Sequence, residues 1–196
     1  VRISYVESRT FVEIAEGIFR FSAPFFDEID HFYLIRTEES HILFDCGAMP
    51  NADAYLAALM RLDWWKDKNW KLICSHAHHR HVGATSRFAE HFDAHVVAPK
   101  GAESHMIDVE LQWVEQYKRF KKIAPVNATF QDAFADTLGR PWYPDHWFGS
   151  NGKQVDGLGE WKIVELPGHT DEFIGLWHAE RQVLICGDAF WGSGIH

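Results

Sequence analysis

The chain lacks a hydrophobic run long enough to cross a bilayer. No stretch approaches the ~18–20 consecutive apolar residues that a membrane helix needs, and no leader-like pattern opens the sequence. It begins at Val1 rather than methionine, which leaves open a removed segment. Cysteine is scarce. Cys46, Cys74 and Cys186 are an odd number, widely spaced, which speaks against a disulfide framework and for a reducing, cytoplasmic setting. They are either small core residues or, less simply, thiolate ligands. Positive charge is in deficit. Lys and Arg number 19 against 28 Asp and Glu, a net charge of −9, which repels phosphate backbones and argues against a nucleic-acid partner. The basic pairs Lys118-Arg119 and Lys121-Lys122 read as a solvated helix face. No internal repeat or low-complexity tract is present.

What remains is the composition of a packed domain. A length of 196 residues suits one unit, and 46% hydrophobic with 15% aromatic residues supplies a core. Nine tryptophans are many. Trp64, Trp65, Trp142 and Trp147 sit in polar or Pro-rich company, where they either line a pocket or pack half-buried.

Periodicity divides the chain into short elements. Residues 32–37 and 41–45 read as a β-hairpin across Glu38-Glu39-Ser40. Apolar repeats over residues 54–60 predict a helix. A strand at 70–74, a helix from about 83 to 92 and a strand at 94–98 follow. Ile107, Leu111, Val114, Tyr117 and Phe120 predict a helix over 101–123. Residues 124–160 read as irregular, so about 101–160 is expected to form a helical or irregular insertion or cap within a single domain, 1–196. Strands at 161–166, 173–177 and 182–186 close the chain. Strands with interleaved helices predict an α/β (α+β) protein with two sheet layers flanked by helices.

The densest signal is histidine. Four of 13 histidines fall inside six residues, in Ser75-His76-Ala77-His78-His79-Arg80-His81. The run follows the strand-like Leu72-Ile73-Cys74 and precedes a helix. Histidine is the commonest nitrogen ligand for transition metals, and a strand end holds ligands stiffly. His76 and His78, two apart, both reach one ion. His169 and Asp188 also lie just past strand ends, and loops at one sheet edge bring such residues together.

Four segments in order resemble the metallo-β-lactamase-fold superfamily. They are Leu43-Phe44-Asp45-Cys46-Gly47, the run 75–81 (set against His-x-His-x-Asp-His), Leu166-Pro167-Gly168-His169-Thr170 and Ile185-Cys186-Gly187-Asp188-Ala189. The resemblance implies an αββα sandwich with a metal site at one sheet edge. It implies that His76, His78 and His169 bind a first metal, and that Asp188 bridges two metals or completes the first site. His81 falls on a position serving the second metal, and Asp45 on an aspartate that orients ligands from behind.

Two departures stand out. Arg80 occupies the position of an aspartate ligand and, being permanently cationic, cannot ligate. The chain also ends eight residues after Asp188, whereas the family continues for tens of residues, so the sandwich is expected to be incomplete at its C-terminal side. His196 reads as a chance terminal residue. An exposed apolar edge left there invites a second copy, and a homodimer is a possibility the sequence leaves open. One zinc ion per chain is expected, with iron or manganese as alternatives and a weak or vacant second position. Arg80 either supplies the missing charge at that position or pairs with a surface carboxylate. Arg80 or His79 is a candidate for an anionic substrate group or oxyanion, although His79 reads more simply as an exposed loop residue. Thr170 and Asp171 either support His169 or cap a turn. Trp113, Tyr117, Trp142, Tyr143 and Trp147 are candidates for an apolar wall around a small-molecule substrate.

Three functions follow. The first is a hydrolase of an ester, thioester, lactone or amide bond, with Asp188 accepting a hydrogen bond from a metal-activated water. The second is a mononuclear iron oxygenase acting on sulfur compounds through His76, His169 and Asp188. The third is a degenerate member that binds metal without turnover.

Overall fold

The computed structural model describes residues 10–25, 28–107, 142–149 and 154–190. Ten strands and four short helices alternate along them: β1 (Val12–Ala15), β2 (Ile18–Phe25), β3 (Glu28–Arg36), β4 (Ser40–Phe44), α1 (Ala52–Leu59), β5 (Asn69–Ile73), α2 (His79–Val82), α3 (Thr85–Phe92), β6 (His95–Pro99), α4 (Glu103–Ile107), β7 (His146–Phe148), β8 (Trp161–Glu165), β9 (Ile174–His178) and β10 (Val183–Ile185). A seven-stranded sheet runs β1 to β7 in sequence order, and a three-stranded sheet runs β10-β9-β8.

Side-chain alternation explains the layering. Successive residues of a strand face opposite sides. Phe32, Leu34, Leu43, Leu72, Val96 and Ala98 point to one face of the large sheet, where they meet Tyr55, Leu56 and Leu59 of α1 and Phe88 of α3. Ile35, Ile42, Phe44, Ile73 and Val97 point to the other, where they meet Trp161, Ile163, Ile174, Leu176 and Ile185 of the small sheet. The large sheet is therefore apolar on both faces, and β4 is buried along its whole length. Tyr55 is fully buried and stacks on Phe21, with ring centroids 4.9 Å apart, joining helix to sheet over aromatic area. Sheet against sheet, with helices outside the larger one, is the metallo-β-lactamase type of sandwich.

The hairpin expected at 32–45 forms, with Tyr33 opposite Phe44 and Arg36 opposite His41. Strands β4 to β7 are parallel, so α1 and α3 are crossovers of βαβ units, more regular than the sequence suggests. Two further strands, β1 and β2, lie ahead of the hairpin. Most of the helix expected at 101–123 is outside the described residues, as are Trp113, Tyr117 and His196; within the described part α4 covers Glu103–Ile107. The irregular reading of 124–160 is corrected in one place, because His146–Phe148 pairs with β6 as β7. No helix among the described residues is long and apolar enough to cross a membrane.

Candidate metal centre

β4, β5, β8 and β10 all end at one edge of the two sheets, and each delivers polar residues there. The ends are locked to one another by main-chain bonds. Asp45 N–H reaches Ile73 O at 2.9 Å, and Cys46 and Gly47 N–H both reach His81 O, at 2.9 and 3.1 Å. Ile174 N–H reaches Ser75 O at 3.0 Å, tying the small sheet to the histidine run. The turn after β4 needs left-handed backbone: Asp45 has φ +62° and Gly47 φ +79°. Asp tolerates that region better than most residues. At Gly47 a side chain is also excluded by space, since a Cβ would lie 2.7 Å from Phe32 Cζ.

One set of ring nitrogens converges. His78 Nδ1 lies 2.9 Å from His76 Nε2 and 3.0 Å from His169 Nε2. The tautomer of His76 follows from its neighbours. Ser75 Oγ has one hydrogen, which it donates to Asp45 Oδ2 at 2.8 Å. It must therefore accept from His76 Nδ1, also 2.8 Å away. The proton of a neutral His76 is thus on Nδ1, and Nε2 presents a lone pair to the cluster. Burial, then the neighbouring His81, holds His76 well below the ordinary histidine range, so it is neutral. A single proton on His78 Nδ1 can point at only one of these two neighbours. Metal–nitrogen bonds of 2.0–2.1 Å in a tetrahedral arrangement separate nitrogens by about 3.3 Å, a few tenths of an ångström from the spacing here. Three histidines, with His78 and His169 half-buried and His76 buried, fit a zinc-like ion with one position left toward solvent.

A second set overlaps the first: His76, His81 and Asp188 also bring ligand atoms within 4.8 Å of one another. Its character differs. His81 Nδ1 lies 2.8 Å from Asp45 Oδ2 and its Nε2 lies 3.1 Å from Asp188 Oδ2. Burial disfavours the charged ring, yet Asp188 and Asp45 outweigh it and raise His81 to about 10. Burial likewise raises Asp188, but His81, then His169 and Arg80, bring its carboxyl down to about 2. This half is thus a chain of ion pairs, carboxylate–imidazolium–carboxylate. His76 has one free lone pair and can bind one ion, so the two sets compete for it.

Arg80, on α2, donates from Nε to Asp30 Oδ1 at 2.9 Å and from Nη2 to the same oxygen. Asp30 lies on β3 and is 5% exposed. The pairing with a surface carboxylate is corrected: the partner is buried. Arg80 nevertheless stays near enough to Asp188 for its charge to act on that carboxyl. The exposed reading of His79 is also corrected. His79 opens α2, is 2% exposed, and is held down to about 3 by burial, then by Arg80 and His81. A neutral, enclosed imidazole offers no charge to an anionic substrate.

Asp45 accepts from Ser75 N–H (2.7 Å), Ser75 Oγ and His81 Nδ1, so it orients two ring systems at once. Cys46 and Cys74 are buried beside Thr85 Oγ1, at 3.3 and 3.8 Å, and pack as small core residues. No cysteine joins a ligand set among the described residues. Trp64, Trp65, Trp142 and Trp147 pack half-buried against the helix-side core, while Tyr143 is exposed. Phe173, fully buried with its ring 4.8 Å from that of His76, forms an apolar floor that sequence reasoning missed. Asp30 was missed too. Its signal was a carboxylate in step with Phe32 and Leu34, on the core-facing side of a strand.

Residues 29–195 match the family described as the metallo-beta-lactamase superfamily. The hydroxyacylglutathione hydrolase GloC of Haemophilus influenzae is 30% identical over 132 residues, 66% of this chain and 54% of that protein. The probable metallo-hydrolase YflN of Bacillus subtilis is 23% identical over 201 residues, 95% of this chain and 69% of that one. Among solved structures, a metallo-beta-lactamase family protein of Thermus thermophilus superposes with a TM-score of 0.68 at 19% identity, over 92% of this chain and 62% of its own. A beta-lactamase domain protein of Burkholderia ambifaria gives 0.64 at 18%, over 93% and 56%. The chain thus spans about half the length of the Haemophilus relative.

Proposed function

Because this chain belongs to the metallo-beta-lactamase superfamily, we propose that it is a metal-dependent hydrolase with a single-ion centre. The observation that carries the reading is the convergence of His76 Nε2, His78 Nδ1 and His169 Nε2 around one point. These three residues would hold the ion. A bound divalent ion lowers the pKa of its water to about 7 and polarises a carbonyl oxygen.

The chain's own residues supply the rest. Asp188 Oδ2 lies 3.6 Å from His169 Nε2 at the partly open rim, where it would ligate or accept a hydrogen bond from the attacking water. Its low pKa keeps it ionised and acceptor-ready at neutral pH. Ser75 and Asp45 fix the lone pair of His76, and Phe173 keeps bulk water from beneath it. The bond cleaved is an ester, thioester, lactone or amide, and the Haemophilus relative named hydroxyacylglutathione hydrolase favours the thioester.

The test is a panel of S-acyl glutathione, lactone, aryl ester and β-lactam substrates on purified protein. Hydrolysis of the thioester that stops with a chelator and returns with Zn2+ supports the reading. Turnover indifferent to the chelator, or dependent on O₂ and iron, contradicts it.

A further inference from the structure

The hydrolase reading gives no task to the outer strands of the large sheet, yet they reach past the centre. β3 runs antiparallel to β4, and Tyr33 lies opposite Phe44, the last residue of β4. The residues of β3 before Tyr33 therefore continue beyond the end of β4, on the edge where the ligands gather. β2 accompanies them, with Arg20 opposite Tyr33 and Ser22 opposite His31. Alternation assigns the faces. Phe21, Ala23 and Phe32 enter the helix-side core, while Ile18 and Ile35 enter the core between the sheets. Arg20, Ser22, His31 and Tyr33 thus share the face turned toward the small sheet. Ser22 Oγ and His31 Nδ1 meet there at 3.0 Å. All four residues are half-buried. The file Arg20–Tyr33–Phe44 leads to the rim of the centre. Gly187 sits on the Phe44 ring, where a Cβ would lie 3.6 Å from Phe44 Cε1, and Asp188 comes next in the chain.

Arg20 is the unusual member. Its Nε is shut off from solvent and has no hydrogen-bond partner, and no carboxylate among the described residues forms an ion pair with it. In a chain with 28 acidic residues against 19 Lys and Arg, an arginine without a carboxylate is a donor left unused. A guanidinium offers a planar fork that fits a carboxylate, and it cannot lose its charge. Burial, then Arg20, lowers the His31 pKa, so that ring is neutral and the charge of the patch is that of Arg20.

We propose that Arg20, flanked by His31 and Tyr33, is a specificity-determining seat for a carboxylate that the substrate carries away from the bond cleaved. The inference rests on the thioester-hydrolase reading and adds the substrate class: the thiol half of the thioester bears a carboxylate. Two strand spacings of about 4.8 Å put Arg20 about 10 Å across the sheet from Phe44. The carboxylate is therefore several bonds from the scissile carbonyl, as the carboxylates of an S-acyl glutathione are.

Two ligand pairs that differ only in charge test it. An S-acyl glutathione and its diethyl ester are compared as substrates of the Zn2+-loaded chain. S-hexylglutathione, a thioether that cannot be hydrolysed, and its diethyl ester are compared in calorimetric binding. The wild type is expected to favour the acid over the diester by about tenfold or more, in Kd and in kcat/KM through KM, the size of a charge-assisted hydrogen bond. Arg20→Gln should bring both ratios to about one. Arg20→Lys, which keeps the charge without the fork, should fall between, and it carries the test if the glutamine variant does not fold. Each ratio is taken on one preparation, so it does not depend on how much of the variant is folded. A wild type that treats acid and diester alike, or a glutamine variant with the wild-type ratios, overturns the seat while leaving a Zn2+-dependent hydrolase standing. Selective binding of the S-hexylglutathione acid that is lost in Arg20→Gln, with no turnover of any substrate, keeps the seat and overturns the hydrolase reading.

Discussion

The two halves of the centre lie side by side and are built on opposite plans. The half made by His76, His78 and His169 brings ring nitrogens within 2.9 and 3.0 Å of one another, with His76 kept neutral by burial. The half made by His81, Asp188, Arg80 and Asp30 is charged, each cation facing a carboxylate, although Asp30 Oδ2 has no hydrogen-bond partner. The difference teaches that the same ligand types can meet in unlike company: His81 and Asp188 are good ligands, but each already faces an opposite charge in the other.

The largest effect that would break this comparison is the removal of a converging nitrogen. His78→Ala or His169→Ala should lower Zn2+ affinity by more than the ~10–100-fold that an outer-shell change costs, measured by chelator competition. Equal small losses from His81→Ala and His169→Ala would mean that the halves do not differ. Next comes Asp45→Asn. It weakens acceptors of Ser75 and His81 in both halves, so an affinity loss of ~10–100-fold should accompany a stability loss of about 3–5 kcal/mol, as expected when a buried charge pair is broken. Denaturant unfolding with and without Zn2+ separates the two effects. Gly47→Ala should be smaller and purely structural. Its Cβ meets Phe32 and its φ is left-handed, a cost of about 1–3 kcal/mol, with little change in the number of ions bound.

The smallest effect concerns His41, at the opposite end of β4 from Asp45. Here one carboxylate does not outweigh burial: His41 is held below its ordinary range by burial, although Asp67 at 2.6 Å pulls the other way. The unfolded chain therefore binds a proton more readily than the folded one. Stability from this residue is full above about pH 6.5 and falls as the pH drops through that value toward the folded pKa. Thermal unfolding of wild type against His41→Gln should show the wild type losing more on acidification from pH 7 to 5. An equal loss in both would remove His41 from the account.

Much of this was legible in the sequence because the signals were local. The hairpin at 32–45, the strand and histidine run at 69–81 and the hairpin ending at Ile185 each carry their own periodicity and turn residues. What the sequence hid was set by long-range contacts. β7 is three residues whose strand state comes from pairing with β6 and from Asp145, which accepts Val96 N–H at 2.7 Å. β1 is four residues long and exposed throughout, so its Val12 and Ile14 give only a short signal. β2 alternates, with Phe19, Phe21 and Ala23 on one face and Ile18, Arg20 and Ser22 on the other, a pattern that the reading passed over. In the site, the sequence could not show that His79 is enclosed and opens a helix, while His78 turns its Nδ1 toward His169. The Asp30–Arg80 pair joins residues 50 positions apart, and only the fold brings them together.

The most direct test of the central claim is the number of Zn2+ ions retained by the purified wild-type chain, read by native mass spectrometry after dialysis and repeated on His169→Ala. One tightly held ion on the wild type and none on the variant is the result predicted by three imidazoles acting on a single cation. Two ions on the wild type, or one ion that survives the loss of His169, would contradict it.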